Sequence, residues 1–342
     1  MREIATDVRR WLERGERVVL ATLVHVQRSA PRLAGAHWAL SESGAMSGAI
    51  SAGCVESDLI EWARSILADG GVRLVSYDVA DADAMRIGLT CGGAIDVLIE
   101  VFADDRWAPL LGAIDAGRAV ATAVAVAPEM LLGRRIFLDS ETRGSIDAEI
   151  DGEIVGVLRA QLASGGSRNF ELPWHGDRAR VFAEAIVPAP RLVVVGATQT
   201  AIPLCRLAKD LDFHVTVVDP REVYASAERM KDADVVVREW PSAFFERADL
   251  DENTYVVTLT HDEKFDLPTL EAALRSDARY VGALGSRRTH AGRVAKLRQR
   301  GVDDELLAKV HSPVGLDLGG RAPAEIALSI MAEIVAERYA AK

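Results

Sequence analysis

The sequence predicts an α/β protein: an N-terminal α+β region built from a degenerate internal repeat, followed by a Rossmann-like doubly wound parallel sheet. Three observations lead there. Four segments of the first half recur in the same order further along the chain. The second half alternates apolar strand-like runs with helical stretches. An aspartate closes a βαβ pattern about twenty residues after its first glycine, the spacing of a nucleotide-binding unit.

The repeat comes first, because self-similarity changes how every later motif is read. GERVVLATLVHV from Gly15 matches GRAVATAVAVAP from Gly117, each a turn followed by a buried-strand pattern. GAHWALSESGAMSGAI matches GRRIFLDSETRGSI, ARSILADGG matches LRAQLASGG, and AIDVLIEVF matches RARVFAEAI. The expected division is residues 1–105 for copy one, 106–187 for copy two packed on it, and 188–342 for the Rossmann-like region. The stiff PAP at Pro188–Pro190 marks the last boundary. The copies differ where chemistry concentrates. Copy one has GCVESD where copy two has DAEIDGE, and only copy one has DAMRIGLTCGG before its last strand.

From Pro188 the pattern is strand, turn, helix, strand. LVVV is the uninterrupted apolar run of a central parallel strand covered on both faces. Further strands fall at Asp234–Val237, Thr254–Thr260 and Arg279–Gly285, and PAEIALSIMAEIVAERYAA closes the chain as an amphipathic helix. Of a G-x-G-x-x-G turn only Gly196 remains. Thr198 stands at the second glycine position, where a side chain crowds a pyrophosphate, so the turn predicts an altered or silent NAD(P) site. Loops at strand ends bring Asp219 and Arg221, His261, and Gly285-Ser286-Arg287-Arg288 to the rim where α/β sheets bind ligands. Glycine, serine and paired arginines opening a helix suit an anion; the competing reading is a capped helix with solvated arginines. His261 reads equally as an acid/base or as a polar loop residue.

The chain has 342 residues, 49% hydrophobic, and a net charge of -11, which excludes a general nucleic-acid surface. No apolar run reaches the ~20 residues that span a bilayer, and the N-terminus reads as an amphipathic helix and not a signal peptide. Three cysteines without a CxxC pair fit free thiols in a reducing cytoplasm. Cys205, in IPLCRLA, reads as a buried small hydrophobe. Cys54 follows the flexible SAG turn and precedes a helix start, which favours a thiolate. Cys91 sits in GLTCGG, where Gly92 and Gly93 let the backbone approach a ligand. Together the two suit a soft metal, sulfur carriage or a sulfur-rich cofactor; structural burial is the alternative.

SAPRLAG, GAISAGCVESD and GLTCGGAIDVLIE resemble the N-terminal motifs of the XdhC/CoxI family. VTVVDPR, LTHDEKFD, YVGALGSRR and PVGLDLGGRAPAEIALSIMAEI resemble its Rossmann domain. The resemblance implies an accessory factor for molybdenum hydroxylases such as xanthine dehydrogenase and carbon monoxide dehydrogenase. Such factors bind and protect molybdenum cofactor and assist its sulfuration and insertion into the apo-enzyme. On that basis Gly53, Cys54 and Glu56 belong to the family's GCVE element, with Cys54 a candidate molybdenum contact, and Cys91, Gly92 and Gly93 to its CGG element. The cofactor's phosphate, with or without a nucleotide extension, falls to the rim loops, and Cys54 is expected to face GSRR across a cleft. The partners implied are a molybdenum hydroxylase apo-enzyme, a cysteine desulfurase and a second copy of the chain in a homodimer. GATQ stands where the family commonly has GAGH, which puts ordinary nucleotide binding there in doubt. The competing function is an NAD(P)-dependent oxidoreductase with reactive thiols.

Overall fold

The computed structural model describes residues 1–28, 30–51, 53–77, 93–102 and 104–340. Contacts divide the chain into two compact units, Met1–Pro188 and Ala189–Lys342.

The first unit repeats one plan twice. A helix, α1 (Arg2–Glu13), leads into β1 (Val18–Gln27), β2 (His37–Ser41), β3 (Met46–Gly48), α2 (Glu56–Asp69), β4 (Val72–Tyr77) and β5 (Ala94–Phe102). The plan then recurs as α3 (Asp104–Asp115), β6 (Val120–Ala127), β7 (Arg135–Leu138), β8 (Thr142–Ser145), α4 (Asp151–Ser164), β9 (Gly166–Trp174) and β10 (Asp177–Ile186). Each copy forms a five-stranded antiparallel sheet, ordered β3-β2-β1-β5-β4 and β8-β7-β6-β10-β9. The sequence repeat is therefore a structural one. Even a glycine is repeated for the same reason. A Cβ on Gly48 would lie 2.3 Å from the His37 carbonyl oxygen, and one on Gly144 would lie 2.3 Å from that of Arg135. Both positions have positive φ, so only glycine fits.

The strands are apolar on both faces because both faces are covered. On β1, Val19, Ala21 and Leu23 join the core under α2 with Leu59, Ala63 and Ile66. On β6, Ala121, Ala123 and Ala125 join the core under α4 with Ile154 and Leu158. The opposite faces meet each other: Val24 and Leu98 of copy one pack with Val124, Val126 and Phe182 of copy two. The period-2 alternation of a strand thus sorts each sheet's residues between its own helix and the other sheet.

Between the sheets lies a polar exception. His37 Nε2 is 2.9 Å from Glu184 Oε2, and Arg135 Nη2 donates to Glu100 Oε1. His37 and Arg135 both open the second strand of their copy, and Glu100 and Glu184 hold matching places in its last strand. Each copy therefore gives its base to the other copy's acid. Thr22 Oγ1 lies 3.2 Å from His37 Nδ1, Thr122 Oγ1 accepts from Arg135 Nη1 at 3.2 Å, and the guanidinium stacks 4.4 Å over Trp107. Burial drives His37 below the usual histidine value, against the pull of Glu184. Burial would raise the Glu184 carboxyl, but His37, the N-terminal amine and Arg135 together outweigh it and hold it low. The pair is thus a neutral imidazole donating from Nε2 to an ionised carboxylate, with the Thr22 hydroxyl donating to Nδ1.

The second unit is the doubly wound parallel sheet the sequence implies. Its elements are β11 (Arg191–Val195), α5 (Ala201–Asp210), β12 (His214–Val218), β13 (Val235–Val237), α6 (Pro241–Phe245), β14 (Thr254–Thr258), α7 (Glu263–Leu274), β15 (Tyr280–Ala283), α8 (Arg287–Gln299), α9 (Asp304–Leu307), β16 (Val310–His311) and α10 (Pro323–Tyr339). The order β13-β12-β11-β14-β15-β16 reverses direction between β11 and β14. One face is covered through Ala201, Leu204, Ile330 and Ile334 of α5 and α10, the other through Leu270, Leu274 and Leu297 of α7 and α8. Among the described residues no helix is long and apolar enough to cross a membrane.

Removing one member of a buried ion pair leaves the other uncompensated, so Glu100→Gln is expected to cost about 3–5 kcal/mol in urea unfolding. The pH dependence follows from both groups of the His37 pair being lowered on folding. The unfolded state then takes up protons first, so stability declines as pH falls below about 6.5. Thermal unfolding across pH 5 to 8 should show this decline, flattened in His37→Gln.

Candidate functional site

Cys54 stands two residues before α2, on the turn from Ile50 to Val55. The turn is held from one end by a carboxylate. Glu56 Oε1 accepts from Ile50 N at 3.1 Å and Ser51 N at 2.7 Å, and its Oε2 accepts from the Ser51 hydroxyl at 2.5 Å. The Ser51 oxygen accepts in turn from the backbone N–H groups of Gly53, Cys54 and Val55. Burial works to raise the Glu56 carboxyl, but these bonds outweigh it and hold it below the usual range. Glu56 is therefore ionised and occupied: it positions the cysteine loop. Gly53 takes positive φ and is exposed, while Cys54 is half-buried against the core that contains Val55 and Leu59. Cys205, by contrast, is 1% exposed, and burial pushes its thiol up to about 12.

The repeat supplies an internal comparison. Asp151, the first residue of α4, holds its own loop in the same way, accepting from the Ser145 hydroxyl at 2.6 Å and from Ile146 N and Asp147 N at 2.9 and 3.0 Å. The clamp thus belongs to the scaffold of both copies, and the thiol to one. Two residues before α4 stands Glu149, whose carboxylate lies with those of Asp147 and the His175 ring, ligand atoms within 4.8 Å. Where copy one has sulfur, copy two has hard oxygen and nitrogen donors. Gly93 is buried just before β5; Cys91 and Gly92 lie outside the described residues.

In the second unit the other candidates gather at the carboxyl ends of the parallel strands. Gly196 follows β11 with φ of 97°, and a Cβ there would lie 2.4 Å from Thr260 Cγ2. Asp219, after β12, is fully buried and accepts from Ala197 N at 2.8 Å. It also takes three bonds from Arg221, through N and Nε to Oδ1 and Nη2 to Oδ2. Burial favours its neutral form, but the Arg221 bonds prevail and lower it. Arg221 itself stacks on Tyr224 and Phe265, centroids 4.2 and 5.1 Å away. An aspartate so engaged has no free edge for a ribose.

The arginine pair opens a capped helix. Ser286 caps α8, accepting from Thr289 N, and Arg287 and Arg288 are exposed, as is His261. Sequence reading missed a buried network beneath them. Asp266 Oδ1 accepts from Thr258 and Thr260 hydroxyls at 2.5 Å each, and Asp266 Oδ2 accepts from Arg293 Nη2 at 2.5 Å. Arg293 Nη2 also reaches the Thr260 carbonyl at 3.1 Å. An arginine deep in the polar-looking SRRTHAGRVAK stretch reads as solvated; only Thr258 and Thr260 at a strand end, with Asp266 on the helix that follows, hint at a partner.

A Rossmann unit following a repeated α+β unit with one clamped thiol defines a recognisable class. Residues 11–78 match the XdhC and CoxI family and residues 192–334 the XdhC Rossmann domain, together well over half of the chain. The protein belongs to the XdhC and CoxI family. It is 28% identical over 332 residues to a probable xanthine dehydrogenase subunit of Bacillus subtilis, covering 96% of this chain and 95% of that protein. It is 26% identical over 325 residues to the molybdenum cofactor insertion chaperone PaoD of Escherichia coli, covering 95% and 84% respectively. A solved Bacillus halodurans protein described as a xanthine dehydrogenase shares the fold, with TM-score 0.82, 24% identity, and 99% of this chain and 96% of that one aligned.

Glu56→Ala is expected to cost about 1–3 kcal/mol, because the Ile50 and Ser51 donors lose their acceptor. In a Cys91→Ser background, Cys54 should then react with a disulfide reagent about fivefold faster or more. Asp151→Ala should cost similar stability in chemical denaturation and leave the Cys54 rate unchanged.

Proposed function

We propose that this protein takes molybdenum cofactor as cargo, shelters it, and assists its sulfuration and insertion into an apo molybdenum hydroxylase of the xanthine dehydrogenase or carbon monoxide dehydrogenase type. The observation that carries this reading is the end-to-end likeness to PaoD, named as a molybdenum cofactor insertion chaperone. The B. subtilis relative, named as part of a xanthine dehydrogenase, points to the same class of client.

The residues fit such a cargo. Its soft metal and dithiolene suit thiol donors, and Cys54 is half-buried on a loop that Glu56 fixes. Its phosphate suits a rim of parallel-strand ends in the second unit. Cys91, with Gly92 and Gly93, is the second thiol in this reading. Glu56 acts through the loop and not on the cargo, since its oxygens are already bonded. Sulfur for the exchange would come from a cysteine desulfurase, and the working unit is a homodimer in the cytoplasm. The NAD(P) oxidoreductase reading is disfavoured by Asp219, which Arg221 and Ala197 already satisfy, and by the side chain at Thr198.

The protein purified from a host that makes the cofactor should carry molybdenum, measured by mass spectrometry, together with the fluorescence of its oxidised pterin. Cys54→Ser should lose at least about tenfold of that metal, the scale of one lost ligand or its supporting shell, whereas Cys205→Ser should retain it. Metal-free wild-type protein from such a host, or full retention in Cys54→Ser with unimpaired activation of a client hydroxylase, would refute the assignment.

A further inference from the structure

Four side-chain atoms in the second unit are buried and have no hydrogen-bond partner among the described residues: Thr198 Oγ1, His290 Nδ1, Arg293 Nη1 and Ser312 Oγ. Buried polar groups in native proteins are nearly always paired, so each orphan needs a reason. Thr260 and Arg293 link the first three. A Cβ on Gly196 would meet Thr260 Cγ2 at 2.4 Å and Thr198 Cγ2 at 3.6 Å, which puts Thr260 against the first turn. The Thr260 carbonyl accepts from Arg293 Nη2 at 3.1 Å. Arg293 in turn lies close enough to His290 to disfavour its charged form, an effect that adds to burial.

Arg293 is the informative member. It is 4% exposed, and Asp266 balances its charge through Nη2. Nη1 has no such use. A Cβ on Gly285 would stand 3.1 Å from Nη1, so glycine at that position leaves the approach to the guanidinium open. Open backbone, a hydroxyl and a guanidinium edge at the reversal point of a parallel sheet describe a cradle for oxyanion oxygens.

We propose that Thr198, His290 and Arg293 hold a single phosphate monoester at this rim, and that Arg287 and Arg288 do not contact it. The proposal rests on the reading that the second unit grips a phosphate-bearing cargo, and it names the gripping groups. A monoester suits the site better than a dinucleotide. The Thr198 side chain occupies the place a pyrophosphate needs, and Asp219 is committed to Arg221. Arg287 and Arg288, both exposed, act only through screened long-range attraction.

The test titrates the full-length protein with methyl phosphate by calorimetry at 150 mM salt. Thr198→Val and Arg293→Lys, the latter keeping a cation beside Asp266, should each weaken binding about tenfold or more, the scale of one hydrogen bond to a charged group. Arg287→Ala/Arg288→Ala should change it less than about threefold. Unchanged thermal unfolding of Thr198→Val shows that its loss is local. Absence of saturable binding to the folded wild type would mean that water alone fills the cradle, and would overturn the proposal. Loss in the double arginine variant with full binding in Thr198→Val would overturn it too. Molybdenum retention is scored separately. Retention without methyl phosphate binding sinks this proposal and spares the functional reading; phosphate binding through Thr198 and Arg293 without retention does the reverse.

Discussion

The first unit depends on an exchange of buried charge between two copies of one plan. His37 reaches across to Glu184, and Arg135 reaches across to Glu100. Neither copy satisfies its own acid. Such pairs are weak sources of net stability, because desolvation offsets most of their attraction. Here the cost is visible: Arg135 Nε and Glu184 Oε1 have no partner among the described residues. What the pairs supply is registration. A sheet slipped by one residue would turn every inward side chain outward and strand a charge between two apolar faces. The surrounding contacts of Val24, Leu98, Val124 and Phe182 are tolerant of small shifts; a carboxylate that must meet one imidazole nitrogen is not.

That registration matters for the chemistry because the thiol sits on the scaffold the pairs align. The strands of copy one fix the seat of α2, the start of α2 fixes Glu56, and Glu56 fixes the loop from Ile50 to Val55. Copy two repeats the chain of command through Asp151 and presents carboxylates and an imidazole in place of a thiol. A duplicated scaffold can keep one copy for structure while the other specialises. The clamp is common to both, so it belongs to the scaffold, and the two copies differ in chemistry at Cys54 and Glu149.

The fold was largely legible in the sequence because its signals are local or periodic. The repeat is readable in GERVVLATLVHV against GRAVATAVAVAP, and LVVV with a distant Asp219 announces the parallel sheet. The crossed pairs were not legible. His37 and Glu184 are 147 positions apart, in two strands that otherwise read as ordinary buried runs. Site residues were readable by type, and their bonding partners were not. Glu56 beside a cysteine gives no sign in the sequence of the three donors that its carboxylate accepts from, and Asp219 gives none of the bonds it takes from Arg221. Arg293 was missed because a charged residue on a helix is normally solvated, and only the partner Asp266, supplied by another helix, makes its burial tolerable.

The Asp266–Arg293 pair also bears on how the second unit departs from the usual glycine turn. In a glycine-rich turn the backbone itself donates to phosphate, and small residues are needed so that it can approach. With Thr198 in that place, backbone donation is obstructed and side chains must replace it. In the proposed cradle the second donor is Arg293, which Asp266 and the Thr260 carbonyl hold in place. Thr260 serves both sides, touching the Gly196 turn with its methyl group and Asp266 with its hydroxyl. In the cradle proposed above, the Thr198 hydroxyl and the buried Arg293 of α8 take the place that a bare backbone holds in a glycine-rich turn.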